Sequence, residues 1–299
     1  MLTSQFLKQL DPFHIGAKHS FRGKLRGERR SLNRGTGMEF ADYRAYEPGD
    51  DLRYVDWNIY ARLGKLFIKL HHTDEDLPLV LLLDSSRSME FGTPTKLTCA
   101  KQIVAALGYI ALAHADSVAI YTCTERLSVA LPPTSGKSQF SRLTKAITAI
   151  AADGQTRLTE CLKQLPMYQR SPGMVVILSD FLDPDSYTAG FKSLLGRGFL
   201  ITTIHLVSQE EIDPQAQMEN VATGSDWLVE DAETGETRAI TLNSEILTQY
   251  QAQQQTFCAD LQRFCIDQGI GYAQLKNNSP IEPFVFQELH RTGLIQRNR

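Results

Sequence analysis

The sequence from Leu79 to Met89 reads Leu-Val-Leu-Leu-Leu-Asp-Ser-Ser-Arg-Ser-Met. Five apolar residues run without alternation into Asp84, and such a run is typical of a strand buried on both faces of a parallel sheet. The turn that follows offers hydroxyl groups at Ser85, Ser86 and Ser88. Oxygen ligands at the carboxyl end of a parallel strand are what a hard cation such as Mg²⁺ requires. The stretch therefore predicts either a metal site or a polar turn.

Apolar segments alternate with helical segments after residue 78, which favours a mainly parallel, doubly wound α/β sheet. A second apolar strand, predicted at 174–179, ends at Asp180, and Thr156 precedes a short helix predicted from residue 158. Ligands of such sheets bind at the carboxyl ends of strands, near the switch in strand order. If the two strands are neighbours, five oxygen-bearing residues meet at one point: Asp84, Ser86, Ser88, Thr156 and Asp180.

The chemistry of this set selects the class of metal. It holds two carboxylates and three hydroxyls, with no sulfur or imidazole. Such a set favours Mg²⁺, Mn²⁺ or Ca²⁺ over zinc or copper. Two carboxylates roughly balance a divalent cation, and the remaining ligands are neutral hydroxyls that leave the site undercharged. We therefore expect a further ligand to come from an Asp or Glu of a partner protein.

The ordered set resembles the metal ion-dependent adhesion site of von Willebrand factor A-type domains, which have a Rossmann-like fold. The resemblance covers roughly residues 76–275. It implies that Ser86 and Ser88 ligate the metal directly and that Asp84 acts mainly through water. Thr156 and Asp180 are implied to bind directly or through water, depending on the state of the site.

Two positions depart from the pattern of that site. Phe181 stands where a glycine often follows the second aspartate, and Gln155 stands where a glycine commonly precedes the threonine. Both departures are expected to alter loop geometry without removing a ligand.

A second unusual stretch, residues 34–64, mixes charged and aromatic side chains. Each acid has an arginine nearby in the sequence, which favours ionised, paired carboxylates over a general acid with a raised pKa. We therefore predict an ion-pair lattice or docking surface here rather than a catalytic cluster. Asp56 is expected to act as the N-cap of a short helix.

The same stretch resembles the signature of the bacterial domain-of-unknown-function family 58, whose members carry an A-type domain after it. Genes of that family commonly lie beside MoxR-type AAA+ ATPases. The resemblance implies an adaptor role in a metal-dependent, ATPase-driven remodelling or maturation system. The signature residues are Glu39, Asp42, Arg44, Asp50, Asp51, Arg53, Asp56, Trp57 and Arg62.

The segment from Lys18 to Arg34 is basic, with seven Lys and Arg residues against Glu28 alone. One interpretation is a patch that binds nucleic acid, an acidic lipid surface or an acidic protein. The other is a solvated arm whose arginines pair with acids elsewhere. The second is favoured because Phe21 is the sole aromatic residue within the segment, whereas single-strand binders stack bases on several rings.

Bulk properties narrow the class of protein further. The chain has 299 residues, 42% of them hydrophobic, enough for one large core or two units. A net charge of −3 excludes polyanion binding by bulk charge alone. The five cysteines include no Cys-x-x-Cys pair, which indicates reduced thiols. We find no signal peptide and no apolar stretch of about 18 residues, so we expect a cytoplasmic protein without a transmembrane segment.

These observations predict two domains, residues 1–75 with the basic arm and the signature region, and residues 76–299 with the A-type domain. A hairpin insertion is expected near 225–242, where Asp231-Ala-Glu-Thr-Gly-Glu gives a turn signal. The predicted function is a metal-dependent protein-interaction or adaptor module. A phosphatase-like hydrolase with Asp84 as nucleophile is disfavoured, because Ser86 stands where the acid/base carboxylate would be needed. An anion binder acting through the basic arm is the remaining alternative.

Overall fold

The computed structural model describes residues 2–16, 39–47, 50–72, 78–169, 171–183, 186–213, 226–233, 235–241 and 244–297. The basic segment 18–34 and the polar loop predicted at 213–220 lie, apart from Asp213, outside the described residues. The chain divides into two compact units, one of residues 1–22 with 77–299 and one of residues 23–76.

The secondary structure follows the alternating pattern. The strands are β1 (Phe13–Ile15), β2 (Glu39–Ala45), β3 (Phe67–His72), β4 (Leu79–Asp84), β5 (Val118–Cys123), β6 (Leu127–Thr134), β7 (Met174–Ser179), β8 (Leu200–Val207), β9 (Asp226–Glu230), β10 (Thr237–Thr241), β11 (Gly271–Lys276) and β12 (Ile295–Arg297). The helices are α1 (Ser4–Leu10), α2 (Trp57–Leu63), α3 (Lys96–Ala113), α4 (Phe140–Ala149), α5 (Leu158–Tyr168), α6 (Thr188–Gly196), α7 (Gln209–Ile212), α8 (Ser244–Asp267) and α9 (Ile281–Pro283), the last continuing as a π-helical segment, Phe284–Leu289.

A six-stranded sheet in the order β11-β8-β7-β4-β5-β6 forms the centre of the larger unit. All neighbours are parallel except β5 and β6, which are antiparallel. The predicted α/β class with a mainly parallel, doubly wound sheet is therefore confirmed. Because β4 and β7 pair with Leu83 opposite Leu178, Asp84 and Asp180 lie at the same edge of the sheet.

The continuous apolar run of β4 serves two cores. Leu81 and Leu83 face the layer that contains α3 and α4, whereas Val80 and Leu82 face the layer that contains α5 and α6. All six residues of β4 are buried. Helices on both faces explain why the strand shows no polar alternation.

Helix α3 lies almost wholly inside the larger unit. Within the described residues it is the one helix long and apolar enough to suit a membrane span by length and composition, although we expected no apolar stretch of that length. However, 78% of that segment is buried. Packing against the sheet accounts for its apolar composition.

Strand β6 extends further than the sequence predicts. Proline cannot donate an N–H to a strand ladder, so Pro132-Pro133 would be expected to end the strand near Leu131, but the strand continues to Thr134. The prolines are tolerated because β6 is an edge strand and because its pairing with β5 is irregular between Leu131 and Thr134, a place where a strand accommodates proline.

Residues 2–16 pack with the larger unit, although the sequence groups them with residues up to 75. Phe6 and Leu10 of α1 join the core cluster that contains α3. Strand β1 pairs with β12, with Ile15 opposite Ile295. A short helix and a three-residue strand gave too weak a pattern to be recognised in the sequence.

The smaller unit, as described, contains an antiparallel pair of β2 and β3 and the helix α2. Asp56 is the N-cap of α2, as predicted, and Gly64 ends the helix with a φ of 65°. The five cysteines of the chain are free thiols, as the sequence indicates.

Candidate metal centre

Asp84 is the centre of the predicted site. Its side chain is buried at the end of β4, and Oδ1 accepts hydrogen bonds from the Ser86 N–H at 3.0 Å and the Thr156 hydroxyl at 3.1 Å. Oδ2 accepts one from the Ser179 hydroxyl at 2.5 Å. The carboxylate is thus held in position by neutral donors.

Burial, together with the negative charge of Asp180, raises the pKa of Asp84 to about 6, although hydrogen bonds from Ser179 and Ser86 act in the opposite direction. The ionised form therefore lies in an environment that disfavours negative charge. A bound cation would remove that penalty.

Ser86 and Ser88 present two adjacent oxygens beside Asp84. Ser86 precedes a 3-10 turn, Arg87–Glu90, that includes Ser88, and the two Oγ atoms are 3.0 Å apart. Both side chains are buried. Neighbouring ligands of an octahedral Mg²⁺ with bonds of 2.0–2.1 Å are about 2.9 Å apart, so the spacing suits two ligands of one ion.

The loops that carry these residues are tied together by main-chain hydrogen bonds. The Asp153 N–H donates to the Ser85 carbonyl at 2.8 Å, and the Arg87 N–H donates to the Gly154 carbonyl at 3.1 Å. The Leu158 N–H, at the start of α5, donates to Asp183 at 2.7 Å. Gly154 turns the Thr156 loop with a φ of 68°. The fold therefore sets the positions of the site residues in advance.

Asp180 lies at the same edge but makes different contacts. Its Oδ2 accepts a hydrogen bond from the Lys96 ammonium at 2.7 Å, and its Oδ1 accepts one from the Leu182 N–H at 3.2 Å. The structure thus brings Asp84, Ser86, Ser88 and Thr156 into one hydrogen-bonded cluster and sets Asp180 beside it in an ion pair.

Lys96 is fully buried between two carboxylates, because its ammonium also donates to Glu211 at 2.5 Å. Burial alone would lower the pKa of Lys96, but the charges of Asp180 and Glu211 outweigh burial and the pKa is raised. Lys96 is therefore charged and balances part of the negative charge beside the site.

A further carboxylate, Glu233, reaches the cluster from the turn between β9 and β10. Its Oε2 accepts a hydrogen bond from the Thr156 N–H at 3.3 Å. Burial raises the pKa of Glu233, although hydrogen bonds from the Thr156 N–H and the Ser88 hydroxyl act in the opposite direction. The turn thus places an acid of this chain against two loops of the site.

The sequence did not single out four residues of this environment: Ser179, Lys96, Glu211 and Glu233. Ser179 was detectable as a polar residue at the end of an apolar strand. Glu211 was detectable because Ser208 and Glu211 form a capping box at α7. Lys96 and Glu233 gave no local signal, since their partners are 84 and 77 positions away in the sequence.

The donor set fits a hard divalent cation. Five predicted residues offer buried carboxylate and hydroxyl oxygens, the ligands that Mg²⁺ prefers. Among the described residues, no group of three or more His, Cys, Asp and Glu side chains could hold a metal ion. Any metal at this edge would therefore depend on the hydroxyls of Ser86, Ser88 and Thr156.

Five of the signature residues form ion pairs or a helix cap within the smaller unit. Arg44 donates to both oxygens of Asp50 at 2.7 Å, and Arg53 pairs with Asp51 at 2.7 Å. These contacts agree with paired carboxylates. The remaining signature positions are Glu39 and Asp42 on β2, Asp56 and Trp57 at the start of α2, and Arg62 in its last turn.

Asp56→Ala is expected to destabilise α2 by about 0.5–2 kcal/mol. Asp56 Oδ1 accepts hydrogen bonds from the Asn58 and Ile59 N–H groups at 2.9 and 3.2 Å, and alanine leaves these donors without that cap. Hydrogen exchange of the two amides in the full chain measures the loss. Asp56→Asn keeps a capping oxygen and should retain most of the protection, so equal exchange in both variants would contradict the capping role.

Comparison with known proteins gives a family match. A sequence profile described as "Protein of unknown function DUF58" matches residues 42–257. The uncharacterized protein Rv1480 of Mycobacterium tuberculosis (strain ATCC 25618 / H37Rv) is 26% identical over 240 residues, which cover 78% of this chain and 73% of that protein.

Solved structures with a similar chain course include the conserved hypothetical protein BatB from Bacteroides thetaiotaomicron. It is 14% identical with a TM-score of 0.43, over 72% of this chain and 98% of that one. Proximal thread matrix protein 1 from the mussel byssus, in a structure described with a zinc-occupied MIDAS motif, is 16% identical with a TM-score of 0.37. That likeness covers 44% of this chain and 38% of the other.

Proposed function

This chain belongs to the DUF58 family of proteins of unknown function, and from the chemistry of its site we propose that it is a metal-dependent protein-interaction module. The observation that carries the proposal is the buried oxygen cluster of Asp84, Ser86, Ser88 and Thr156 at the end of the central strand. The hydroxyls lie around a buried carboxylate, and main-chain hydrogen bonds hold the loops that carry them. Such an arrangement is better suited to binding a cation than to catalysing a reaction.

Each residue has a distinct role in this proposal. Ser86, Ser88 and Thr156 would hold the ion through their hydroxyl oxygens, and Asp84 would balance its charge while orienting Thr156. Asp180 would act through water, because Lys96 is bonded to its carboxylate. When bound, Mg²⁺, or Mn²⁺ or Ca²⁺ in its place, supplies a Lewis-acid position for an external oxygen ligand. The partner is accordingly a protein that presents an Asp or Glu side chain.

Two exposed apolar side chains follow the site loops and support a docking role. Phe91 comes three residues after Ser88 and is 45% exposed, and Leu182 comes two residues after Asp180 and is 46% exposed. Apolar contacts around a charged centre are typical of interfaces in which a few residues contribute most of the binding energy. We further propose that the partner is a MoxR-type AAA+ ATPase or its client, in remodelling or maturation of a protein complex.

We assign Asp84 no catalytic role. Both of its oxygens accept hydrogen bonds in the structure, and the second carboxylate, Asp180, is engaged with Lys96. An aspartyl nucleophile would require a free oxygen and an acid/base partner beside it.

Mg²⁺ is expected to raise the free energy of unfolding of the full chain, by about 2.7 kcal/mol at 100 times its dissociation constant. Asp84→Ala should abolish this gain, because it removes the charge at the centre of the cluster. The measurement is thermal unfolding with Mg²⁺ and with a chelator. Asp153→Ala is the matched control, since this carboxylate lies on the Thr156 loop with its side chain 86% exposed.

The same pair of variants tests partner binding. The Asp153→Ala protein should capture a purified MoxR-type ATPase in Mg²⁺ and lose it in chelator, whereas Asp84→Ala should fail in both. Identical melting curves and identical capture with Mg²⁺ and with chelator would remove the proposed function.

A further inference from the structure

The turn between β9 and β10 aims an acid of this chain at the proposed cation site. Asp231 shapes the turn: its Oδ1 accepts a hydrogen bond from the Glu233 N–H at 2.9 Å, and its carbonyl accepts one from the Gly235 N–H at 2.9 Å. The Asp231 N–H donates to the Glu236 carbonyl at 2.8 Å. The direction of the Glu233 side chain is thus set by a structured turn.

The Glu233 carboxylate reaches the residue that also contacts Asp84. Its Oε2 accepts a hydrogen bond from the Thr156 N–H, while the Thr156 hydroxyl donates to Asp84. The Ser88 hydroxyl, on the other loop, is close enough to Glu233 to lower the pKa of its carboxyl. Glu233 thus contacts the Thr156 loop and lies beside the Ser88 loop, the two loops that an acid from a partner protein would need to approach.

The charges around this edge make the position of Glu233 costly without a cation. Asp84, Asp180, Glu211 and Glu233 are carboxylates, and the Lys96 ammonium is bonded to two of them, Asp180 and Glu211. The negative charge of Asp180 acts against ionised Glu233. Like charges gathered in a partly buried place repel each other unless a cation lies between them.

We propose that Glu233 is the built-in acidic ligand of the site. Its carboxylate takes the coordination position on the bound cation that an Asp or Glu of a partner protein takes during docking. This inference rests on the proposed function. The β9–β10 hairpin then acts as an internal competitor, and a partner binds only after its own carboxylate has displaced Glu233. The site therefore selects partners that present an acid together with contacts sufficient to move the hairpin aside.

Mn²⁺ is the probe that tests this assignment, because water protons bound to Mn²⁺ relax fast. If Glu233 takes one position on the ion, Glu233→Gln should let one more water bind. One added water beside two or three raises the relaxation enhancement per bound Mn²⁺ by about 1.3- to 1.5-fold. The loss of a carboxylate ligand should also weaken Mn²⁺ binding by about tenfold.

Two further variants separate the effect of the length of the Glu233 side chain from the effect of its charge. Glu233→Asp keeps the charge but shortens the side chain by one methylene, so it should show the added water as Glu233→Gln does. Glu236→Gln removes a carboxylate of the same hairpin that pairs with Arg238 at its exposed surface, and it should match the wild type. An unchanged enhancement in both Glu233 variants would overturn the inference.

Acetate serves as the smallest probe of an external acid. It should lower the enhancement of the Glu233→Gln protein with Mn²⁺ at a concentration at least threefold lower than it does for the wild type, because no internal acid competes. Equal acetate titrations of wild type and Glu233→Gln would also overturn the inference.

Failure of this inference is distinguishable from failure of the proposed function. Mn²⁺ binding that is lost in Asp84→Ala, with no effect of Glu233 on water or acetate, would leave the cation site standing and remove the internal ligand. A wild-type chain that binds no Mn²⁺ would remove both.

Discussion

Replacing Lys96 by methionine is expected to lower the free energy of unfolding by about 3–5 kcal/mol. Lys96 is fully buried, and its ammonium lies 2.7 Å from Asp180 and 2.5 Å from Glu211. Methionine has a similar length but no charge, so both carboxylates lose their cation inside the protein. Urea unfolding of the full chain, without divalent metal, measures the loss.

Lys137→Met provides the matched control for this result. Lys137 pairs with Asp11 at 3.1 Å, but the two side chains are 58% and 44% exposed. Water screens such a pair, so the control should lose far less stability than Lys96→Met. Equal unfolding midpoints for Lys96→Met and the wild type would contradict the proposed weight of the buried ion pair.

Phe181→Ala is expected to lower the free energy of unfolding by about 3–5 kcal/mol. Phe181→Gly should lower it by about 1–2 kcal/mol less than Phe181→Ala does. Phe181 is buried and packs against Tyr187, Phe191 and His205, with ring centroids 5.9–6.2 Å apart. Both substitutions lose this packing. Its φ of 58°, however, lies in the left-handed region, which glycine adopts without the strain that alanine keeps.

Phe191 supplies the comparison, because it is equally buried but lies within α6. At this position the glycine variant should be less stable than the alanine variant by about 1 kcal/mol, since glycine disfavours a helix. The order of the two substitutions should therefore reverse between residues 181 and 191. The same order at both positions, measured by urea unfolding, would show that backbone conformation does not decide the outcome at Phe181.

The central part of the fold was predictable from local patterns. An apolar run without alternation, as in β4, requires burial on both faces, and that requirement implies helices on both sides of a parallel sheet. The sequence left open whether β4 and β7 are neighbours, and the structure pairs them, which brings Asp84 and Asp180 to one edge. The departure at Phe181 is also informative: where a glycine was expected, the structure has a positive φ, so phenylalanine adopts the backbone that glycine would allow.

The parts that the sequence could not supply depend on contacts between distant residues. Lys96 resembled any basic residue at the start of a helix, and only the tertiary structure places its ammonium between Asp180 and Glu211. Glu233 resembled a solvated turn residue, because nothing local shows that its hairpin lies against the Thr156 loop. The short elements α1 and β1 are stabilised by tertiary contacts rather than by their own pattern.

The two prolines of β6 have a consequence for how copies of this protein meet in solution. An unprotected edge strand offers a row of N–H and C=O groups to which another chain can add by sheet extension. Pro132 and Pro133 have no N–H to donate, and they lie in the outermost strand of the sheet. Replacing both by threonine would restore N–H donors to this strand, and we expect that variant to aggregate through this edge more readily than the wild type.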